Sequence, residues 1–274
     1  MTKLKTLLMT LTAAGLCVGS AAAAEAPQVK ALDKAPQSIL VVGNSYMYYN
    51  CGINGYLSGI LKASGKKQVK TRIAAIGRGN QSQYPLEEYL DNAAAIAHQP
   101  KYGKLDEKLL KKEIKKRENY ELVLMQGSNR GKDDQLRDAH YVKIHADAIR
   151  AQGGIPAMII TWTQKKEGAP DFDVVADGVT GIANANNMMA IPVGQAFNLL
   201  EKEHPELTLI MPDKTHPTAI GSWLMAATIY ASVYGADANE GVKFEGGCEK
   251  PIAPEVRAIL ADTANRAVKA WFGR

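Results

Sequence analysis

Long apolar runs are scarce in this chain. Leu7 to Val18 is the one stretch of that kind, and it falls short of the roughly 20 residues that span a bilayer. Cysteine is scarce as well, with three residues and no paired-cysteine spacing, and His-Glu-x-x-His does not occur. These absences exclude the common zinc patterns. Asp171 and Asp173 lack the rest of a calcium loop. No glycine-rich loop runs into Lys-Ser or Lys-Thr, which excludes a nucleotide P-loop. The 24 Gly and 12 Pro follow no period, so the chain is not collagen-like. With 46% apolar and 22% charged residues it buries enough surface to offset its ordering entropy, which excludes disorder.

The first 24 residues form a separate object. Lys3 and Lys5 precede the apolar run, and Ala21 to Ala24 stand before Glu25. Basic, apolar, then small is the order of a secretory signal, with cleavage expected after Ala24. A membrane anchor is the alternative, and the shortness of the run argues against it. Cys17 lacks the preceding pattern of a lipoprotein site. Losing Lys3 and Lys5 takes the formal charge from +5 to +3, too weak to point to nucleic acid. The expected mature protein is secreted, periplasmic in a double-membraned bacterium, with no stable membrane anchor. It keeps Cys51 and Cys248, for which a disulfide and two buried thiols both fit.

Residues 25–37 read as an aperiodic N-terminal tail. From 38 to 274 short apolar runs alternate with helical segments, without a repeat, a linker or a second core. Strands are predicted at 39–42, 69–76, 122–125, 155–161 and 188–193. Helices are predicted at 52–64, 85–97, 104–118, 133–151, 171–187, 194–203, 217–234 and 254–272. Five such alternations imply one α/β domain, a parallel five-stranded sheet with helices on both faces. Ligands of such sheets collect at the carboxyl ends of the strands. Chemistry is therefore expected just after residues 43, 76, 126 and 193.

Gly43-Asn44-Ser45-Tyr46 directly follows the first strand. A serine on that turn can present its hydroxyl to the crevice, and a helix start beside it favours negative charge. Plain helix capping would use the same residues. Asp213-Lys214-Thr215-His216-Pro217 sits near the other end of the domain. A carboxylate three residues before the imidazole can hold one ring nitrogen protonated and leave the other as a base. Gly77-Arg78-Gly79-Asn80 and Gly127-Ser128-Asn129 follow the second and third strands. A glycine N–H and a side-chain amide both serve as oxyanion donors, although Gly and Asn also end strands for conformational reasons alone.

Taken together, Ser45, a glycine, Asn129 and Asp213-x-x-His216 resemble the SGNH (GDSL-type) hydrolase family, in the form of its uncharacterised bacterial branches. The resemblance spans residues 39 to 225. It departs from the usual pattern at Asn44, where Asp is common, and at Arg130, where Asp follows the Asn. The resemblance implies a flavodoxin-like three-layer fold and cofactor-free, metal-free ester hydrolysis through an acyl-enzyme. In those terms Ser45 is the nucleophile, His216 the base and Asp213 its orienting partner. Ser45, Gly79 and Asn129 are the oxyanion donors, with Gly77 as the second choice of glycine.

The expected substrate is a small-molecule or saccharide ester, such as an acetylated sugar, with a lipid or lysophospholipid ester as the alternative. A binding protein that keeps the fold without turnover is the rival, motivated by Asn44 and Arg130. Asn44, Tyr46, Arg78 and Arg130 are candidate substrate contacts. The two arginines could hold a carboxylate or phosphate, and surface ion pairing explains them equally. Tyr46, Tyr48 and Tyr49 could wall a substrate, while core packing explains them better. The basic stretch Lys108–Arg117 reads as a solvated helix face.

Overall fold

A computed structural model describes residues 25–91, 119–247 and 250–274. The strands are β1 (Ser38–Gly43), β2 (Lys70–Ala75), β3 (Leu122–Gln126), β4 (Ile155–Ile159) and β5 (Met189–Ile191). All pair in parallel, in the order β2-β1-β3-β4-β5. The helices are α1 (Ser45–Tyr48), α2 (Ile53–Ala63), α3 (Leu86–Asp91), α4 (Lys132–Ala151), α5 (Phe172–Ala185), α6 (Val193–Glu203), α7 (Ala219–Tyr234) and α8 (Pro254–Phe272).

The near-continuous apolar strands have a simple cause. Successive side chains of a strand point to opposite faces, and both faces of this sheet are covered. Ile39, Val41, Leu122, Leu124, Ile159 and Ile191 pack on one side with α2, α6, α7 and α8. Leu40, Val42, Val123, Met125, Met158 and Ala190 pack on the other with residues of α3, α4 and α5. The result is the three-layer αβα domain that the alternation predicts. Helix α7 is apolar on every side because it is enclosed: Gly221 to Val233 are all buried. Among the described residues no helix is long and apolar enough to cross a membrane.

Several boundaries differ from those read in the sequence. A short helix absent from the sequence reading, α1, precedes the predicted one and is separated from α2 by a turn at Tyr49–Gly52. Three consecutive residues of that turn, Asn50, Cys51 and Gly52, have positive φ, and no α-helix continues through such a turn. Residues 25–37 are anchored to the domain. Val29 makes an isolated parallel bridge to Met189 beside β5, and the Gln28 N–H is donated to Asn184 Oδ1 at 2.9 Å. The expected signal segment, the predicted helix at 104–118 with its basic stretch, and the second half of the 85–97 helix lie outside the described residues.

Chain order reverses at β1, whose neighbours are β2 on one side and β3 on the other. The crevice above such a switch point is where open parallel sheets bind ligands. The turns after β1, β2 and β3 converge there.

Candidate active site

Gly43 ends β1 where a side chain has no room. A Cβ there would meet Met47 Cγ at 2.5 Å and Gln126 Oε1 at 2.7 Å. The close approach lets the Asn44 N–H be donated to Gln126 Oε1 at 2.9 Å, tying the turn to the end of β3. Asn44 Oδ1 caps α1 by accepting the Tyr46 N–H at 3.1 Å, and Asn44 Nδ2 donates to Gly79 O at 3.1 Å. Asn44 therefore joins the turns after β1 and β2. Ser45 occupies the first position of α1, where a backbone N–H has no intrahelical acceptor. With four residues, α1 contributes little dipole. What it supplies at Ser45 is this single orphan donor.

The Asp213–His216 segment sits on a short hairpin. Ile210 and Pro217 form an antiparallel bridge, Met211 N–H is donated to His216 O at 2.8 Å, and Lys214 takes the turn with φ of 63°. Thr218 then caps α7 through the Gly221 N–H. Trp162, three residues past β4, donates its indole N–H to Thr215 O at 3.0 Å and holds the hairpin against the sheet.

These two loops, 171 residues apart in sequence, meet side by side. His216 Nε2 lies 2.8 Å from Ser45 Oγ, and His216 Nδ1 lies 2.7 Å from Asp213 Oδ2. Asp213 Oδ1 accepts the backbone N–H groups of Thr215 at 2.9 Å and His216 at 3.0 Å. Partial desolvation works to raise the Asp213 pKa, but the imidazole and backbone hydrogen bonds outweigh it and hold the carboxyl at about 2. An ionised carboxylate only accepts hydrogen bonds, which assigns the proton to Nδ1. The Nε2 lone pair is then left to accept from the Ser45 hydroxyl.

An aromatic stack supports this arrangement. Tyr46 lies on Trp162 with centroids 4.7 Å apart, and Trp162 lies on Phe197 at 4.2 Å. Tyr46 is 3% exposed and packs in this stack, in keeping with the core packing that the sequence reading preferred over a substrate contact. Burial, partly offset by hydrogen bonds with Gln164 and Asn129, pushes its phenol up to about 12.

The glycine expected as an oxyanion donor requires correction. The Gly79 N–H is donated to Ile76 O at 2.9 Å, closing a turn in which Arg78 takes φ of 61°, so it does not face the crevice as a free donor. Gly77, the second choice, is half-buried at the head of the same turn. Asn129 lies buried beside the crevice, and its amide donates to Tyr46 Oη at 2.6 Å and, at 3.5 Å, to Trp162 O. The second contact is at the limit of a hydrogen bond and holds that proton weakly.

Arg78 is exposed on its turn, and Arg130 at the rim pairs with Asp134 at 4.0 Å. Cys51 is disulfide-bonded, while Cys248, for which a disulfide and a free thiol were both left open, lies outside the described residues.

Sequence reasoning missed a buried polar base beneath the crevice. Gln126 Oε1 holds Asn44, Gln126 O accepts from Gln81 Nε2 at 2.8 Å, and the Gln81 N–H is donated to Asp138 Oδ1 at 3.2 Å. Asp138 is 1% exposed, and burial, against a backbone hydrogen bond and two arginines, raises its carboxyl to about 6. The signal available was the polar Gln126 ending an otherwise apolar strand. Asn50 was missed as well, and Tyr49, weighed only as a substrate wall or core residue, was not linked to His216, since their contacts cross to the histidine hairpin. Among the described residues no three His, Cys, Asp or Glu side chains gather as a metal site.

No family model and no curated protein matches the sequence. Solved structures do match the fold. A DUF4886 family protein from Bacteroides uniformis aligns with TM-score 0.58 and 16% identity, covering 84% of this chain and 94% of its own. An acetyl xylan esterase aligns with TM-score 0.53 and 15% identity, covering 72% and 99%. A protein assigned to the SGNH hydrolases, from Slackia heliotrinireducens, aligns with TM-score 0.51 and 19% identity, covering 71% and 97%. The chain has the fold of the SGNH-type hydrolases.

Proposed function

We propose that the protein is a serine hydrolase of carboxylic esters. The observation that carries this reading is the continuous hydrogen-bonded chain from Ser45 Oγ through the His216 imidazole to Asp213. In the proposed reaction Ser45 Oγ attacks the ester carbonyl as its proton passes to His216 Nε2. The alkoxide leaves with that proton, giving an acyl-serine. Water attacks the acyl group, gives a proton to Nε2, and the acid is released as Ser45 regains its proton. Asp213 keeps the ring in the required tautomer and faces the imidazolium formed in each half-reaction.

The developing oxyanion is assigned to the Ser45 N–H and the weakly held proton of Asn129, which turns from Trp162 O when substrate arrives. Asn44, Gly79, Asn129 and Arg130 line a small recess next to the turn that carries Ser45, with room for about one water. An acetyl group on a saccharide is the proposed substrate class, and the acetyl xylan esterase sharing this fold supports it. No described feature favours a lipid ester.

The proposed site of action is outside the cytoplasm, after removal of residues 1–24. The disulfide at Cys51 supports an oxidising compartment. Amino-terminal sequencing of the exported protein tests this, and retention of residues 1–24 there would overturn it.

A ligand-binding protein without turnover is the second reading. It draws on the engagement of Gly79 N–H and the Asn129 amide in internal hydrogen bonds. A fluorophosphonate probe separates the two. Labelling that disappears in Ser45→Ala supports the hydrolase, and absence of labelling in folded wild-type protein supports the binder. Acetylated sugars compared with longer acyl esters then test the substrate class.

A further inference from the structure

Two hydrogen bonds in the plane of an imidazole, one at each nitrogen, still leave the ring able to rock about the axis joining them. Asp213 and Ser45 make that pair of bonds with His216. What stops the rocking must press on the ring face. Tyr49 does so: its ring lies 3.7 Å from the His216 centroid and 1° from parallel. Tyr46 meets the same imidazole edge-on, at 6.1 Å and 73°.

Tyr49 is held there by an unusual turn. Asn50 and Cys51 have φ of 50° and 70°, and Gly52 follows at 75°. Left-handed backbone at non-glycine residues persists only where the surroundings over-determine it. Here the Asn50 side-chain amide donates to Pro217 O, the residue after the histidine. Gly52 N–H is donated to Tyr49 O at 3.1 Å, and Cys51 is disulfide-bonded. The turn after the serine is thereby fastened directly to the loop carrying the histidine.

We propose that Tyr49 and Asn50 are positioning residues for the hydrolytic reaction: Tyr49 clamps the face of His216, and Asn50 locks the serine and histidine loops together. The inference rests on the hydrolase reading for its catalytic consequence, but the clamp itself is testable without turnover. Its specificity follows from the geometry. The stack needs an aromatic ring and not the phenol hydroxyl, and the lock needs the Asn50 amide and a left-handed backbone, which glycine also adopts.

The test compares Tyr49→Phe, Tyr49→Leu and Asn50→Gly with wild type on an acetyl ester, with melting temperatures recorded. Tyr49→Leu and Asn50→Gly are expected to lower kcat about tenfold or more with KM little changed, as small misplacements of reacting groups do, while Tyr49→Phe restores kcat. In parallel, carbethoxylation of His216 by diethyl pyrocarbonate is followed by peptide mass mapping. The rate at His216 is expected to rise several-fold in Tyr49→Leu and Asn50→Gly and to stay near wild type in Tyr49→Phe. Wild-type kcat and wild-type modification rate in Tyr49→Leu would overturn the clamp, as would equal impairment in Tyr49→Phe. A wild-type protein inert to esters and to fluorophosphonate, but with faster His216 modification in Tyr49→Leu, would overturn the hydrolase reading and leave the clamp standing.

Discussion

Trp162 lies flat against Tyr46, 8° from parallel with ring centroids 4.7 Å apart, while its indole N–H is donated to Thr215 O. One buried side chain thus sets the distance between the turn that carries Ser45 and the hairpin that carries His216. Replacing it separates two contributions. Trp162→Phe keeps an apolar ring but leaves Thr215 O without its donor, a loss of about 1–3 kcal/mol. Trp162→Ala adds a cavity and is expected to cost about 3–5 kcal/mol. Urea unfolding measures both. Ester turnover is expected to fall in Trp162→Phe by more than the unfolded fraction accounts for.

Ser45→Ala and His216→Ala are each expected to lower kcat on the order of 10⁶-fold. Asp213→Asn is expected to lower kcat on the order of 10⁴-fold, because the amide presents a donor to Nδ1 and selects the wrong tautomer. The double variant of Ser45 and His216 should lose no more than either single one, since groups acting as a unit are not additive. Steady-state kinetics at high enzyme concentration, with total protein as the reference, checks this.

Asp213 also carries a pH signature. Its folded-state pKa of about 2 lies below the ordinary value of 3.8. Its contribution to stability is therefore fully present above pH 3.8 and is lost as the pH falls towards 2. Asp213→Asn is expected to flatten the acid limb of the melting-temperature profile in that window. An unchanged limb would show that the hydrogen bonds to this carboxylate do not persist in solution.

Asp138 has the opposite sign. Burial raises it from 3.8 to about 6. The folded state binds this proton more tightly than the unfolded chain, so stability falls as the pH rises from 3.8 to 6 and carries a constant deficit above. The deficit is on the order of 3 kcal/mol. Asp138→Asn keeps the acceptor for the Gln81 N–H and removes the charge. It is expected to raise the melting temperature at pH 8 by several degrees relative to wild type, with little gain at pH 4. Calorimetry at the two pH values decides.

Gly43→Ala tests the close approach beneath the serine turn. The new Cβ would lie 2.5 Å from Met47 Cγ and 2.7 Å from Gln126 Oε1, so Gln126 must move off the Asn44 N–H. A loss of about 1–3 kcal/mol is expected, together with lowered kcat. Denaturant titration and kinetics on the same preparation report the two effects.

Much of this site was legible without coordinates because much of it is local. Asp213 and His216 are three residues apart on a turn ending at a proline, and the pairing of their side chains needs little beyond that hairpin. Asn44 next to Ser45 reads as a helix cap, and it is one. The alternation of short apolar runs with helical segments sets the three layers, because a parallel sheet covered on both faces requires nearly continuous apolar strands. By itself, then, the amino-acid order determined the architecture and, through the motifs it shares with a known family, singled out the serine, histidine and aspartate as candidates.

The tertiary structure decided the rest, since those contacts join residues far apart in the chain. No periodicity reveals that Tyr49 stacks on an imidazole 167 positions away or that Asn50 reaches Pro217. Nor does it reveal that the Gly79 N–H turns back to Ile76, or that Asp138 lies buried under the turn after β2. Each depends on the angle at which one loop meets another, and that angle is set by packing around Trp162 and Gln126, which no local propensity encodes.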